Sequence, residues 1–138
     1  MVNKMRTGTL IVFAAYCLAV TIAQGSNCGA SDYLVNAAFT VNPTPAKGKT
    51  SLLTLTGVTP NAMTLQEWDI FVNLNGVLTS QFDVPITGTY AANSQIVVKY
   101  NFTTSLSTEG GYYSMRLLLQ NTEQYYVNCW IYNYYISG

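Results

Sequence analysis

Few residues of this chain could carry out acid–base chemistry. Glu67 and Asp69 are the most closely spaced acidic residues, and two positions apart on a β-strand they would lie side by side on one face. Glycosidase-type catalysis needs two carboxyl groups that converge on a substrate from different sides. A pair on one strand is more typical of a solvated edge, which is the interpretation we favour.

The sequence also lacks the residues expected of a catalytic nucleophile or a metal site. The 138 residues include no histidine, so a serine, threonine or cysteine nucleophile would lack its usual base. Histidine is also the commonest ligand of transition metals, and no acidic loop has the spacing of calcium ligands. We therefore expect no enzyme activity, no metal site and no cofactor apart from bound cargo.

The first 25 residues have the pattern of a secretory signal peptide. Lys4 and Arg6 precede an apolar run of about 14 residues, Leu10 to Ala23, which is shorter than the roughly 20 residues of a transmembrane helix. Small residues make cleavage after Ala23 or Gly25 the prediction, with an uncleaved membrane anchor as the alternative. Residues 26–138 then form one domain.

The composition of the predicted mature chain excludes one class of partner. The whole chain is 49% hydrophobic and 9% charged, and after removal of Lys4 and Arg6 four basic residues face six acidic ones, a net charge of about −2. Since no basic stripe is present, we expect no binding to nucleic acid. The sequon Asn101-Phe102-Thr103 predicts an exposed, N-glycosylated Asn101.

Cysteine usage agrees with export. Cys17 lies in the predicted signal peptide, which leaves Cys28 and Cys129 near the two ends of the domain. In a secreted domain such a pair predicts a disulfide, with two unpaired buried thiols as the alternative. Closing a loop of about 100 residues contributes at most roughly 4.7 kcal/mol in the chain-entropy model.

The rest of the sequence alternates between apolar and polar residues in short segments bounded by turn residues. Asn75-Gly76 is the strongest hairpin signal, and Pro85, Gly88 and Asn93 predict a loop. This pattern indicates an all-β antiparallel sandwich or barrel. The predicted strands are 33–41, 51–56, 67–73, 77–83, 95–103, 112–120 and 125–136.

The last predicted strand places aromatic rings on both of its faces. One face would pack into the core. The other either forms the amphipathic rim of a central strand or contacts a partner.

Motifs spread over the whole predicted mature chain resemble the ML lipid-recognition domain, the family of the Niemann–Pick type C cholesterol-binding protein and of the phosphatidylglycerol/phosphatidylinositol transfer proteins. Their order and spacing, and the Cys-Trp pair near the end, are more specific than any single motif. The residues that carry the resemblance are Asn27-Cys28-Gly29, Phe39 to Lys49, Trp68-Asp69-Ile70-Phe71-Val72, Val84-Pro85-Ile86-Thr87-Gly88, Gly111 to Leu117 and Cys129-Trp130-Ile131.

The resemblance implies an immunoglobulin-like antiparallel β-sandwich with an apolar, lipid-sized cavity between its sheets. It also implies that Cys28 pairs with Cys129, because family members join their first cysteine to one on the final strand. The chain departs from the family in one respect. Many members have a further cysteine pair beside the position of Val84 to Gly88, and this sequence has none there.

The candidate lipid-binding residues are inward-facing positions of the predicted strands. Alternation alone fits a fully packed core equally well, and the resemblance favours the cavity. Polar groups at its mouth are expected from residues such as Tyr100, Tyr113 or Lys99. The candidate lining is Phe39, Leu55, Ile70, Val72, Ile96, Val98, Tyr100, Phe102, Tyr113, Met115, Leu117 and Ile131.

The resemblance thus predicts a lipid-binding or lipid-transfer protein that is secreted or lies in the lumen of the endolysosomal or secretory pathway. Its cargo would be a sterol, fatty acid or phospholipid, and it would dock on a membrane or receptor to exchange it. The alternative is a structural or adhesive subunit. In that case the tyrosine-rich last strand would form contacts between copies of the chain.

Overall fold

A computed structural model describes residues 24–29 and 33–138, which form eight β-strands and no helix. The predicted signal peptide therefore lies almost entirely outside the described residues. No described segment is a helix that could cross a membrane. The strands are β1 (Ser26–Asn27), β2 (Val35–Asn42), β3 (Thr50–Thr59), β4 (Met63–Leu74), β5 (Val77–Tyr90), β6 (Ser94–Thr103), β7 (Gly111–Asn121) and β8 (Tyr126–Ile136).

The strands form two antiparallel sheets, which confirms the predicted β-sandwich. One sheet has the order β1-β8-β7-β4-β5 and the other β2-β3-β6. Strands β5 and β6 are therefore edge strands of different sheets, joined directly by the turn at 91–93. This connection places the two open edges on the same side of the sandwich.

The β4–β5 hairpin forms where the sequence predicts it. Asn75 and Gly76 have φ angles of 49° and 85°. A two-residue type I′ turn needs positive φ at both central positions, and asparagine and glycine adopt it most readily. The turn places Leu74 opposite Val77 and Asn73 opposite Leu78. A register shift between Val72 and Asn73, with Thr79 as the extra residue of β5, then places Val72 opposite Ser80 and Ile70 opposite Phe82.

The loop predicted around Pro85 and Gly88 was wrong, because β5 continues through both residues to Tyr90. Half of the N–H groups of an edge strand point away from its neighbour, so proline can occupy such a position without breaking the ladder. A register irregularity in β4 between Leu65 and Glu67 accompanies Pro85, which pairs with Glu67.

The start of β2 also differs from the prediction. Strict alternation placed Tyr33 and Val35 on the same face as Phe39, but they are 47% and 50% exposed. Asn36 has a φ of 54°, and the register shifts between Val35 and Ala38. This bulge rotates the strand, so only residues after it keep the predicted orientation.

Between the sheets, the inner faces pack tightly at the end near Phe39. The Phe39 ring contacts Trp68 edge-on, with ring centres 6.2 Å apart, and Trp130 and Tyr132 at 6.4 and 6.0 Å. Phe39 and Trp68 have no exposed surface. Such rings bury large apolar areas and pack favourably at these distances, so this end holds the two sheets together.

The N-terminal segment closes the sandwich along the β8 edge. Strand β1 pairs with β8, and the Cys28 N–H donates to the Cys129 carbonyl oxygen at 3.0 Å. The predicted disulfide between Cys28 and Cys129 is confirmed, with Cα atoms 5.0 Å apart. It ties this segment to the central part of the larger sheet.

Replacing both Cys28 and Cys129 with serine should lower the free energy of unfolding by about 2–5 kcal/mol, because the bond closes a 101-residue separation. Urea denaturation of the variant and the parent chain would measure this difference. Equal stability of the two proteins, or of the parent with and without reductant, would contradict the expectation.

Candidate functional site

The two sheets separate at the end opposite Phe39 and leave a cleft of about 380 Å³ between the β5 and β6 edges. This volume lies in the lower part of the roughly 300–1,000 Å³ typical of ligand pockets. Both sheets and the 104–109 loop contribute to the wall. The cleft is lined by Val72, Leu74, Thr79, Ser80, Phe82, Phe102, Thr103, Thr104, Ser105, Thr108, Glu109, Tyr113, Tyr134 and Ile136.

Two phenylalanines meet across the cleft from the two edge strands. Phe82 on β5 and Phe102 on β6 have ring centres 5.9 Å apart and nearly perpendicular planes. Phe82 is 37% exposed, whereas Phe102 is buried. This pair is therefore an apolar contact between the open edges with one solvent-facing member.

Two stacked tyrosines, Tyr113 and Tyr134, line the cleft on the larger sheet. Tyr113 and Tyr134 lie with ring centres 5.2 Å apart and planes within 10°, and Tyr132 continues the stack at 5.6 Å from Tyr134. The Tyr113 hydroxyl donates to the Glu109 carbonyl oxygen at 2.6 Å, which fixes the loop against β7. The rings thus present apolar faces while one hydroxyl anchors the rim.

Burial raises the pKa of the two tyrosines that line the cleft. Desolvation, followed by its tyrosine neighbours Tyr113 and Tyr132, raises the pKa of Tyr134 well above the usual range. Desolvation and then the Glu109 charge raise the pKa of Tyr113. Both hydroxyls therefore remain neutral donors at physiological pH.

Thr104 has a buried hydroxyl that no residue in the described ranges satisfies. Its side chain is 4% exposed, and its Oγ1 has no hydrogen-bond partner among the described residues. Its backbone is held on both sides, since its N–H donates to the Lys49 oxygen at 2.9 Å and its oxygen accepts from the Gly48 N–H at 2.8 Å. A buried hydroxyl of this kind costs about 1–3 kcal/mol unless another molecule satisfies it.

Charge is scarce in the cleft. Glu109 is the one charged residue of its described lining, and the other polar side chains there are hydroxyls of serine, threonine and tyrosine. An anionic headgroup would be repelled by Glu109, whereas an uncharged hydroxyl-bearing group would find donors and acceptors. No set of three Cys, Asp or Glu side chains within residues 24–29 and 33–138 is arranged to hold a metal ion.

The structure brings three of the predicted lining residues to the cleft, namely Val72, Phe102 and Tyr113. Most of the others lie deeper, in the packed part of the core, and Tyr100 is half-buried against it. The deep residues have at most 2% exposed surface, so no water-sized space adjoins them. They are Phe39, Leu55, Ile70, Ile96, Val98, Met115 and Leu117.

The assignment of Ile131 to the inner face was wrong. Ile131 pairs with Arg116 and lines a shallow outer depression with Phe71. The register shift between Leu119 and Gln120 places Trp130, Tyr132 and Tyr134 on the inner face instead. Lys99, expected at the mouth, alternates with buried Val98 and is exposed on the opposite face of β6.

The cleft residues on β5 and in the 104–109 loop were not among the predicted lining residues. The Asn75-Gly76 turn alone would place Thr79 opposite Val72 and Gln81 opposite Ile70. The register shift between Val72 and Asn73 brings Ser80 and Phe82 there instead, and the sequence pattern does not show this shift. Thr104 and Glu109 follow the last residue of β6, where alternation ends. No periodic signal could have located them.

A second polar cluster lies on the outer face of the larger sheet. Asp69 is 7% exposed, its Oδ2 accepts from the Tyr126 hydroxyl at 3.4 Å, and its Oδ1 has no partner among the described residues. Asp83 is its cross-strand neighbour on β5. Desolvation, followed by the charges of Glu67 and Asp83, raises the pKa of Asp69.

Among solved structures, the fold is similar to a Niemann-Pick type C2 protein from the Japanese carpenter ant, with a TM-score of 0.68 over 82% of this chain and 98% of that one. The identity is 11%, so the likeness shows the fold alone. The CARDB domain of the PF1109 protein from Pyrococcus furiosus, solved with di-metal ions, matches at a TM-score of 0.44, 11% identity, 80% of this chain and 95% of that one, which is too distant to bear on function.

Sequence comparisons add no relative. No family model matches the chain, and no curated protein matches it either.

The raised pKa of Asp69 predicts the pH dependence of stability. The folded state binds a proton at Asp69 more tightly than the unfolded chain, whose aspartate pKa is about 3.9. The stabilisation that comes from this tighter proton binding is therefore fully present below the unfolded-state pKa. It is lost as the pH rises through the higher, folded-state pKa. Asp69→Asn should flatten this dependence and raise the Tm at neutral pH.

Thermal unfolding between pH 3 and 8 would measure the effect, with the exposed Glu123→Gln variant as a control for the loss of one negative charge. An Asp69→Asn protein that is less stable than the parent at neutral pH would contradict the assignment.

Proposed function

We propose that this chain is a secreted or lumenal lipid-binding protein that holds the apolar part of its cargo in the cleft between β5 and β6 and leaves it chemically unchanged. The observation that carries the proposal is the cleft itself, in which aromatic and aliphatic residues lie beside Thr104, whose buried hydroxyl has no hydrogen-bond partner in the described part of the chain. The Niemann-Pick type C2-like fold agrees with this role.

The energetics fit exchangeable binding. Ten buried methylene groups contribute about 8 kcal/mol, which the cost of association, about 4–15 kcal/mol, largely offsets. The deep core residues adjoin no empty space, so a longer tail must move them or separate β5 from β6. The Phe82–Phe102 contact lies where that separation would begin.

The headgroup that best matches the cleft is an uncharged hydroxyl, as in a sterol. Thr104 Oγ1 could exchange a hydrogen bond with such a group, while Glu109 disfavours the carboxylate of a fatty acid. The predicted export agrees with the disulfide, which persists in oxidising compartments.

Filling the cleft should weaken sterol binding. Ser80→Phe places a ring where Ser80 lines the cleft and should weaken binding of a fluorescent sterol about tenfold or more, roughly 1.4 kcal/mol. Thr87→Phe, on an exposed position of the same strand, is the matched control. Fluorescence titration at near 1:1 stoichiometry would measure both variants, and circular dichroism would verify their folding.

Equal sterol binding by the parent and a folded Ser80→Phe protein would contradict the location. If the native protein carries no extractable lipid, binds no probe and instead forms concentration-dependent oligomers, the structural-subunit alternative is favoured.

Thr104→Val tests the role of the unpartnered hydroxyl. The isosteric change should leave the Tm equal to or above that of the parent, because it removes an unsatisfied buried group. It should also weaken sterol binding by up to about tenfold, since a hydrogen bond contributes about 0.5–1.5 kcal/mol.

A sterol analogue that lacks the hydroxyl group is the control ligand. Because it cannot form the hydrogen bond to Thr104, it should bind the parent and the Thr104→Val variant equally. Unchanged affinity of Thr104→Val for the intact sterol would contradict the proposed contact.

A further inference from the structure

Gln24 is built into the fold, although it lies within the 25 residues of the predicted signal peptide, between the two predicted cleavage positions. Its N–H donates to the Phe39 oxygen at 2.7 Å, and its Oε1 accepts from the Val41 N–H at 2.6 Å. Its carbonyl oxygen accepts from the Trp130 Nε1–H at 2.6 Å. Gln24 thus joins β2 of the smaller sheet to β8 of the larger one.

The backbone of Gly25 also packs closely against β8. Its φ is +75°, and a Cβ placed on it would lie 2.1 Å from the Ile131 oxygen. Cleavage after Gly25 would remove these two residues. The Trp130 indole N–H and the Val41 N–H would lose their acceptors, each at a cost of the order of 1–3 kcal/mol if left unsatisfied.

Cleavage after Ala23 keeps every one of these contacts and makes Gln24 the first residue. We propose that the mature chain begins at Gln24 and that Gln24 cyclises to pyroglutamate. The proposal rests on removal of the leader predicted from the sequence and is independent of the lipid-binding proposal.

The reaction needs no co-reactant. The neutral α-amine attacks Cδ of its own side chain, the N–Cδ bond forms and the Cδ–Nε2 bond breaks. The proton released by the amine goes to the departing nitrogen, which leaves as ammonia.

The geometry of the hydrogen bonds favours the product. Each of the three bonds of Gln24 uses an atom that the lactam keeps: the α-nitrogen, the carbonyl oxygen and Oε1. The leaving atom, Nε2, takes part in none of them. A lactam presents its N–H and C=O toward the same side, as required to meet the neighbouring Phe39 oxygen and Val41 N–H of β2.

Charge favours the same outcome. A free α-amine has an ordinary pKa of about 7.7–8.0 and is largely protonated at neutral pH. Gln24 is half-buried between the sheets, where a charged group is costly. The lactam nitrogen is neutral and keeps one N–H for the Phe39 oxygen.

The test is the intact mass of the full-length chain after secretion by eukaryotic cells, because peptides with N-terminal glutamine also cyclise during digestion. We expect a chain that starts at residue 24, is lighter than the Gln24 form by one ammonia, and is blocked to Edman sequencing until pyroglutamyl aminopeptidase removes the ring. A start at Ser26, a start upstream of residue 24, or an uncyclised Gln24 would each overturn the proposal.

A variant tests the contacts between Gln24 and β2 separately from the cyclisation. Gln24→Ala cannot cyclise and lacks the acceptor for Val41, so its Tm should be measurably below that of the parent. Gln95→Ala, at an exposed position of β6, should not shift the Tm. A Gln24→Ala protein as stable as the parent would overturn the docking of the ring against β2.

Discussion

Contact between the two inner sheet faces is the constraint on which the rest of the structure depends. At one end, Phe39 of the smaller sheet inserts among Trp68, Trp130 and Tyr132 of the larger sheet. Gln24 and the disulfide reinforce the closure along β8. At the opposite end the wall is a tyrosine stack facing the β5 and β6 edges, and there a cleft remains. The described residues thus form a sandwich that is closed at one end and has a hydroxyl-lined cleft at the other.

Most of the fold followed from local patterns in the sequence. The Asn75-Gly76 turn predicted the β4–β5 hairpin, the alternation of β4 and β6 predicted their inner faces, and the terminal cysteines predicted the disulfide, and each was confirmed. The errors arose where a bulge or edge breaks the period of two. The bulge at Asn36 exposed Tyr33 and Val35, and an edge position allowed β5 to continue through Pro85.

The site was harder to predict than the fold. Alternation identifies inward residues, but it cannot distinguish side chains that touch each other from side chains that border a space. Phe39 and Phe102 both face inward, yet one lies in the closed aromatic cluster and the other beside the cleft. Ile131 was misplaced for a different reason, because the register shift in the β7–β8 pairing changes which residues of β8 face inward. Thr104 gains its significance only from its position between Gly48 and Lys49, which no periodicity reveals.

Photo-cross-linking tests the central claim most directly, because it reports where a bound lipid lies. The secreted protein would be loaded with a photoreactive sterol, irradiated and mapped by peptide mass spectrometry. The account predicts adducts on residues that face the cleft, such as Phe82, Phe102 and Tyr113. Adducts confined to the exposed Tyr112 and Tyr135 on the outer face, or no specific adduct, would contradict it.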